Sequence, residues 1–231
     1  MIEKFYKFHK LRALTRRLGL NSILFKFFFG NKNYEENFDE SFSKYINKGD
    51  VVYDCGANIG HYTKTFADLV GSEGLVIGIE PSPMNYKKLM KNTSNYKNIN
   101  NLNFALGKKK EQLWFQQGED EIGANSKVLE DKTNNSIKVD VFTLSEIINL
   151  HGEPNAIKID VEGFEFDVLL GLEKKLAIKN NINLIGIEVH SSILETRGIK
   201  NAQKKIENFL IDKNYSINWT DFSHIIAKKN A

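Results

Sequence analysis

Short apolar runs rich in β-branched residues alternate with segments of helical period from residue 50 almost to the end of the chain. Several of these runs are continuously apolar, which is typical of strands covered on both faces of a sheet. Strands that alternate with helices predict βαβ units and therefore a doubly wound, mostly parallel α/β sheet. The predicted strands are Val51–Cys55, Leu75–Glu80, Asn101–Ala105, Ile137–Val141, Ala156–Ile159, Leu184–Val189, Tyr215–Thr220 and Ile225–Lys228.

The segments between the strands carry apolar residues at helical spacing. In the first such segment, positions i, i+4, i+7 and i+8 are held by Tyr62, Phe66, Leu69 and Val70. Gly71 follows them and is expected to be the C-cap. The last two strands have no helix between them, which predicts a C-terminal hairpin that adds an antiparallel strand to the sheet.

Length and composition limit the possible classes. A chain of 231 residues with 41% hydrophobic residues suits one domain with its own core. The formal charge of +3 is spread over 32 basic and 29 acidic residues, so it gives no argument for nucleic-acid binding. The single cysteine, Cys55, excludes an internal disulfide and a cysteine-ligated zinc site, and it suits the cytoplasm.

Two segments lie outside this pattern. Residues 1–36 are interpreted as a basic helical extension, and residues 37–231 as the main domain. The phenylalanines of the extension either pack on that domain or form a peripheral contact with a membrane or a partner, since no run is long enough to span a membrane. The polar segment Gly118–Ser136 is predicted to be a surface loop.

A glycine loop after the first strand is the strongest local motif. The string Asp54-Cys55-Gly56-Ala57-Asn58-Ile59-Gly60 joins a buried strand to the start of a helix. Glycine allows a tight turn and a close approach of ligand to backbone, and the helix N-terminus offers unpaired N–H groups. We therefore predict a nucleotide-type cofactor site formed by Asp54, Gly56, Ala57, Asn58 and Gly60.

The ends of the next two strands extend that site. Glu80 ends the second strand and is followed by Pro81 and Ser82, where an acidic side chain can accept hydrogen bonds from both hydroxyls of a ribose. Asn103 and Ala105 end the third strand, where an adenine ring would lie.

The spacing of the loop discriminates between nucleotide cofactors. A nicotinamide or flavin fingerprint needs a third glycine and room for a pyrophosphate. This chain has Asn58 inside the loop and Asp54 before it, and a carboxylate suits the ammonium of a methionine moiety better than a pyrophosphate. The loop therefore favours S-adenosylmethionine.

A second acidic motif is predicted to face the acceptor. The string Ile157-Lys158-Ile159-Asp160-Val161-Glu162-Gly163-Phe164-Glu165 follows a buried strand that should flank the topological switch point beside the first strand. Asp160, Glu162 and Glu165 could orient an acceptor hydroxyl, accept its proton or contact the cofactor, and helix capping is the alternative reading. His190 ends the following strand and is a second candidate base. Asp160, Glu162 and His190 could also bind a divalent metal, but nothing in the spacing requires one, and none is predicted.

At these motifs the chain resembles the FkbM family of methyltransferases. The matching strings are Gly49–Gly60, Ile79–Pro83, Asn103–Gly107, Val141–Ile147 and Ile157–Glu165. The resemblance implies a class I methyltransferase fold with strand order 3-2-1-4-5-7-6. It also implies methyl transfer from S-adenosylmethionine to oxygen, on a hydroxyl of a sugar, glycan or secondary metabolite.

Three other functions are weighed against this one. An NAD-dependent oxidoreductase shares the fold but needs the missing third glycine. Methylation of exocyclic amines in nucleic acid commonly uses adjacent prolines, which this chain lacks, although ribose methylation stays open. A binding module that holds the cofactor without turnover is the third alternative.

Overall fold

The described part of the chain contains seven helices and eleven strands. The computed structural model describes residues 34–116, 127–129, 132–133, 136–178 and 181–230. The predicted N-terminal extension lies outside these residues except for its last three positions. In chain order the elements are α1 (Tyr34–Ser43), β1 (Val51–Cys55), α2 (His61–Val70), β2 (Leu75–Ile79), α3 (Pro83–Asn92), β3 (Ile99–Leu102), β4 (Ala105–Leu106), β5 (Glu111–Gln116), β6 (Lys127–Leu129), β7 (Ser136–Phe142), α4 (Leu144–His151), β8 (Ala156–Ile159), α5 (Glu165–Leu176), β9 (Leu184–Glu188), α6 (Ser191–Thr196), α7 (Ala202–Asp212), β10 (Tyr215–Trp219) and β11 (His224–Lys229).

The main sheet has seven strands in the order β3-β2-β1-β8-β9-β11-β10. Strands β3, β2, β1, β8 and β9 are parallel, and β11 runs antiparallel to both β9 and β10. This arrangement confirms the doubly wound α/β prediction, the C-terminal hairpin and the order 3-2-1-4-5-7-6. β2 and β3 lie on one side of β1, whereas β8 and the later strands of this sheet lie on the other. The strand order therefore reverses between β1 and β8, and a crevice forms at their carboxyl ends.

Helices on both faces bury the central strands. Tyr53 and Cys55 of β1 point into a core formed with α4, α5 and α7, whereas Val52 points into a smaller core with α1 and α2. All three side chains are fully buried, as expected for a parallel sheet covered on both sides.

Helix α1 packs on the strand β9 through two stacked phenylalanines. The ring centroids of Phe38 and Phe42 are 5.6 Å apart, and each residue is only 1% exposed. A Cβ at Gly186 of β9 would lie 2.7 Å from the ring of Phe42, so glycine permits this close packing. Each buried phenylalanine contributes about 1.5–3 kcal/mol to folding.

A second sheet, of order β4-β7-β5-β6, is absent from the sequence prediction. The predicted strand Ile137–Val141 belongs to this sheet as part of β7, where it pairs antiparallel with β5. The prediction of a loop over Gly118–Ser136 is wrong at β6, which pairs with β5. The rest of that segment lies largely outside the described residues.

The predicted third strand is interrupted. β3 ends at Leu102 and β4 begins at Ala105 in the second sheet. Between them Asn103 leaves the ladder and uses its amide side chain to hold the loop after β2, so one predicted strand becomes two short ones. Among the residues that the structure describes, no helix is both long and apolar enough to cross a bilayer.

Candidate active site

The glycine loop packs directly against the loop that follows β8. The N–H groups of Gly56 and Ala57 donate to the carbonyl of Ile79, at 2.9 and 3.0 Å, which fixes the loop to the end of β2. Gly56 has φ 87°, and a Cβ there would lie 1.8 Å from the carbonyl oxygen of Asp160. Gly60, at φ 92°, is the N-cap of α2. The geometry therefore requires both glycines that the sequence singled out.

Glu80 connects the ends of β1 and β2 with both of its carboxylate oxygens. Its Oε2 accepts from the N–H of Asn58 at 2.8 Å, and its Oε1 accepts from the N–H of Ser82 at 2.9 Å. Burial raises the pKa of Glu80 to about 7, although these two N–H groups oppose the rise. Ser82 itself caps α3, because its hydroxyl accepts from the N–H of Asn85 at 3.2 Å.

Asn103, which follows β3, supports this loop, whereas Ala105 lies in β4 of the second sheet. The side-chain amide of Asn103 donates to the carbonyl of Glu80 at 2.8 Å and to that of Pro81 at 3.3 Å. Ala105 is buried in a small cluster with residues of the second sheet. Asn103 therefore holds the backbone that presents Glu80.

Asp54 is fully buried at the end of β1. Its Oδ2 accepts from the hydroxyl of Thr63 at 2.6 Å, whereas its Oδ1 has no hydrogen-bond partner. Burial raises the pKa of Asp54, and the ammonium of Lys158 opposes that rise from 3.9 Å. The Oδ1 atom of Asn58, also buried, lacks a partner as well. An ammonium or hydroxyl group of a bound ligand would donate hydrogen bonds to these two unsatisfied acceptors at the glycine loop.

Lys158 is a central residue of the site to which the sequence analysis gave no role. It is 3% exposed, and its Nζ lies 3.1 Å from Oδ2 of Asp160 and 4.4 Å from the ring centroid of Tyr62. Burial lowers the pKa of Lys158, but the carboxylates of Asp160 and Asp54 outweigh burial and raise it. The signal in the sequence was a single charge inside an otherwise apolar strand, because a buried lysine needs a paired anion.

The loop after β8 is held in an unusual conformation. Glu162 has φ 49° and Gly163 φ 95°, and a Cβ at Gly163 would lie 2.3 Å from the side chain of Ile193. The Nη1 of Arg197 donates to the carbonyl of Gly163 at 2.6 Å, while its guanidinium stacks 3.5 Å from the ring centroid of Phe164. A left-handed non-glycine residue is uncommon and is often found at a functional site.

His190 joins the two acidic positions of this loop. Its Nδ1 lies 2.8 Å from Oε1 of Glu165, and its Nε2 lies 3.3 Å from Oε2 of Glu162. Glu165 is fully buried at the start of α5, where its Oε1 also accepts from the N–H of Gly163 at 2.8 Å. The structure thus brings Asp160, Glu162, Glu165 and His190 together as the sequence predicted.

The electrostatics of this cluster favour a carboxylate as the proton acceptor. Burial lowers the pKa of His190, but the hydrogen bond and charge of Glu165 raise it to about 10. Burial raises the pKa of Glu162 to about 7, against the opposing charge of His190. At neutral pH His190 is therefore an imidazolium, which has no lone pair for a proton, whereas Glu162 can take one up.

Asp160, Glu162 and His190 are also spaced as metal ligands are, with one potential ligand atom from each lying within 4.8 Å of the others. Metal coordination requires a neutral imidazole with a free lone pair. His190 is protonated at neutral pH, so a cation would have to displace the proton on Nε2, and the charges favour an ion-paired cluster here.

Comparison with known proteins adds a family to this geometry. The model of the methyltransferase FkbM domain family matches residues 54–217, which include every residue of the loops described above. The hexuronic acid methyltransferase AglP of Haloferax volcanii is 27% identical over 148 residues, which cover 62% of this chain. The match covers 57% of the length of AglP.

Solved structures share the fold at low sequence identity. An rRNA methylase from Streptococcus thermophilus has a TM-score of 0.52 at 11% identity, over 87% of this chain and 98% of its own. Aeropyrum pernix fibrillarin, solved with natively bound S-adenosylmethionine, has a TM-score of 0.50 at 14% identity, over 79% of this chain and 66% of its own. These likenesses support the class I methyltransferase fold.

Proposed function

This chain belongs to the FkbM methyltransferase domain family, and from that premise we propose that it transfers the methyl group of S-adenosylmethionine to a hydroxyl of a sugar or related metabolite. The observation that carries the proposal is the contact between the two loops at the switch point. The glycine loop touches the backbone of Asp160 directly, and the cluster of Glu162 and His190 begins two residues later. A cofactor on the first loop and an acceptor on the second would therefore be neighbours.

The residues present fit S-adenosylmethionine. Glu80 offers both carboxylate oxygens beside the glycine loop, and each oxygen keeps a lone pair for a ribose hydroxyl after accepting one backbone N–H. The unsatisfied Oδ1 atoms of Asp54 and Asn58 could accept from the cofactor's donors. When bound, the cofactor supplies an activated methyl group on a sulfonium.

Glu162 is the residue that we assign to the proton. The Glu162 carboxylate would accept the proton that the acceptor hydroxyl gives up when it is methylated. His190, held by Glu165, attracts that carboxylate through Nε2, which lies 3.3 Å from Oε2 of Glu162. Positioning the two reactants in line removes much of the entropic barrier, so correct placement of this loop is the main requirement.

The sugar acceptor is supported by the relative AglP, whose name gives hexuronic acid as its substrate. The acidic cluster favours an uncharged hydroxyl at the reacting position, because an acceptor carboxylate would be repelled by Asp160 and Glu162 and would need no base. The buried Cys55 is consistent with a reducing compartment, and we propose a cytoplasmic location.

Calorimetric titration with S-adenosylmethionine and with NAD tests the cofactor. We expect binding of S-adenosylmethionine alone, lost in Glu80→Ala and kept in Glu73→Ala, which removes an exposed glutamate. Transfer of a labelled methyl group to neutral sugars and to uronic acids then tests the acceptor. Binding of NAD, or binding of S-adenosylmethionine with no transfer to any acceptor, would contradict the proposal and favour an oxidoreductase or a non-catalytic module respectively.

A further inference from the structure

The C-terminal hairpin delivers a buried acid–imidazole pair to the edge of the proposed active site. Nδ1 of His224 lies 2.8 Å from Oδ2 of Asp221, and its Nε2 lies 3.4 Å from Oε2 of Glu188. The other oxygen of Glu188 lies 3.8 Å from Nε2 of His190. A continuous series of alternating carboxylates and imidazoles therefore runs from the hairpin turn to the loop of Glu162.

The backbone fixes the hairpin end of this series. His224 begins β11 directly opposite Glu188 of β9 in the antiparallel ladder. Asp221 Oδ1 accepts from the N–H groups of Ser223 and His224, at 2.7 and 3.0 Å, so the turn holds the carboxylate in place. His224 is 3% exposed, and its ring lies 4.7 Å from that of Phe38. Sequence reasoning missed these residues because they follow the last recognised motif and meet Glu188 only through strand pairing.

Two carboxylates face the same imidazole nitrogen but sit in different environments. Nε2 of His190 lies 3.3 Å from Glu162 and 3.8 Å from Glu188. Burial raises the pKa of Glu188, but the hydrogen bond and charge of His224 reverse this and lower it to about 2. Burial raises that of Glu162 to about 7. Such a separation between neighbouring carboxyl groups is how sites assign one to carry charge and the other to exchange protons.

The groups that face His190 come from α5, from β9 and from the loop that follows Ile159, the last residue of β8. Glu165 of α5 binds Nδ1, and Glu162 of the loop after β8 and Glu188 of β9 face Nε2. Asp160 of the same loop adds a further negative charge, with Lys158 paired to it. His224 of β11 reaches this group only through Glu188.

We propose that Asp221 and His224 are positioning residues: they hold Glu188 as a permanent anion beside His190, so that Glu162 rather than Glu188 takes up the acceptor's proton. This inference rests on the proposed methyl transfer. Once Glu162 is protonated, its charge no longer attracts the imidazolium, but Glu188 still attracts Nε2 while Glu165 binds Nδ1. The hairpin thus acts on the reaction without contact to either reactant.

Nuclear magnetic resonance titration of the full chain tests the positioning without turnover. Carboxyl carbons of glutamate and ring nitrogens of histidine are followed in wild type, His224→Gln, Glu188→Gln and the control His151→Gln, each after a thermal melt confirms folding. In His224→Gln we expect the midpoint of Glu188 to rise by about one pH unit or more, because a neutral amide replaces a cation. In Glu188→Gln we expect the midpoint of Glu162 to fall by about half a unit or more, because a like charge is lost. Unchanged midpoints in both variants would overturn the proposal.

The pH profile of methyl transfer, measured with the acceptor found by the sugar screen, tests the role in the reaction. We expect the acidic limb of the profile to shift with the Glu162 midpoint in Glu188→Gln and to stay in place in His151→Gln. If the acidic limb does not shift together with the Glu162 midpoint, Glu162 is not the group that accepts the proton. If the midpoints shift in the variants as expected but the wild-type protein transfers no methyl group, the proposed function is wrong. The effect of His224 on Glu188 would still be supported.

Discussion

Nδ1 of His190 lies 2.8 Å from Oε1 of Glu165, a carboxylate with no exposure to solvent. This contact crosses from the end of β9 to the first residue of α5. It fixes both the orientation of the ring and its charge, since a buried carboxylate favours the protonated imidazole. The second oxygen of Glu165 is buried without a hydrogen-bond partner, so the carboxylate depends on His190 and on the backbone of the loop.

Replacing Glu165 should therefore change the protonation of His190 more than it changes the affinity for the cofactor. For Glu165→Gln we expect the His190 midpoint to fall by about one to two pH units and turnover to fall about 10- to 100-fold, with cofactor affinity within a few-fold of wild type. Histidine titration, initial rates and calorimetry measure these three effects. Glu173→Gln, on the exposed end of the same helix, is the matched control. An unmoved His190 midpoint would refute the role of Glu165.

Stability should decline as the two buried imidazolium groups lose their protons. The folded pKa values of His190 and His224 are raised to about 10 and about 9. Because these exceed the value of ~6.5 in an unfolded chain, the stabilisation is complete below that pH and is lost as the pH rises through the folded values. We expect the melting temperature to fall more between pH 7 and about pH 10 in wild type than in His224→Gln. Parallel curves for the two proteins would contradict this expectation.

Cofactor binding should weaken in mild acid. The pKa of Glu80 is raised to about 7, and only the ionised carboxylate offers full acceptor strength to ribose hydroxyls. We expect the dissociation constant for S-adenosylmethionine to rise by up to about tenfold per pH unit below pH 7. The same titration in Glu162→Gln separates the two carboxyl groups, because that variant should keep the dependence. A constant affinity from pH 5.5 to 8 in wild type would argue against Glu80 as the ribose ligand.

Removing the buried ammonium should destabilise the fold. Lys158 pairs with Asp160 and lies near Asp54, so Lys158→Met leaves buried negative charge without its partner. We expect a loss of about 3–5 kcal/mol in the free energy of unfolding, measured by chemical denaturation. Lys174→Met, an exposed site on α5, should change it by less than about 0.5 kcal/mol. Equal effects of the two substitutions would show that the pairing of Lys158 carries little energy.

Methyl transfer should not depend on a divalent metal. Asp160, Glu162 and His190 are close enough to share an ion, but His190 is protonated at neutral pH and forms an ion pair with Glu162 through Nε2. We expect dialysis against a chelator to leave the rate of methyl transfer unchanged. Adding Mg²⁺ or Mn²⁺ afterwards should also leave the rate unchanged. Loss of activity on chelation and its recovery with one metal would identify these residues as ligands instead.

The doubly wound, mostly parallel sheet could be predicted because its signals are local and repeated, whereas its strand order was implied only by the resemblance to the FkbM family. Continuous apolar strands, helical spacing and the paired motifs at Gly56 and Asp160 all indicate the same doubly wound fold. The second sheet could not be predicted, since Glu111–Gln116 has polar residues at both ends and Lys127–Leu129 is only three residues long in a polar segment. Its stability comes from pairing with β7, which is a tertiary contact.

The residues of the candidate site were predictable, but their charges were not. The sequence placed Glu162, Glu165 and His190 at one edge of the sheet, and all three lie there. Which of them carries the proton depends on burial and on neighbouring charges such as Glu188, which raises the pKa of Glu162 from another strand. The importance of Lys158 likewise follows from two carboxylates that reach it from different strands.

The burial of Cys55 has a practical consequence for studying this protein in solution. It is the chain's single cysteine, it lies in β1 with no exposed surface, and burial raises the pKa of its thiol. A thiol of this kind reacts slowly with maleimides and other alkylating reagents. A cysteine introduced on the outer face of the second sheet would therefore be labelled selectively in the otherwise native chain. A fluorescent or spin-label reporter on that cysteine could then follow the second sheet in solution while Cys55 stays in place.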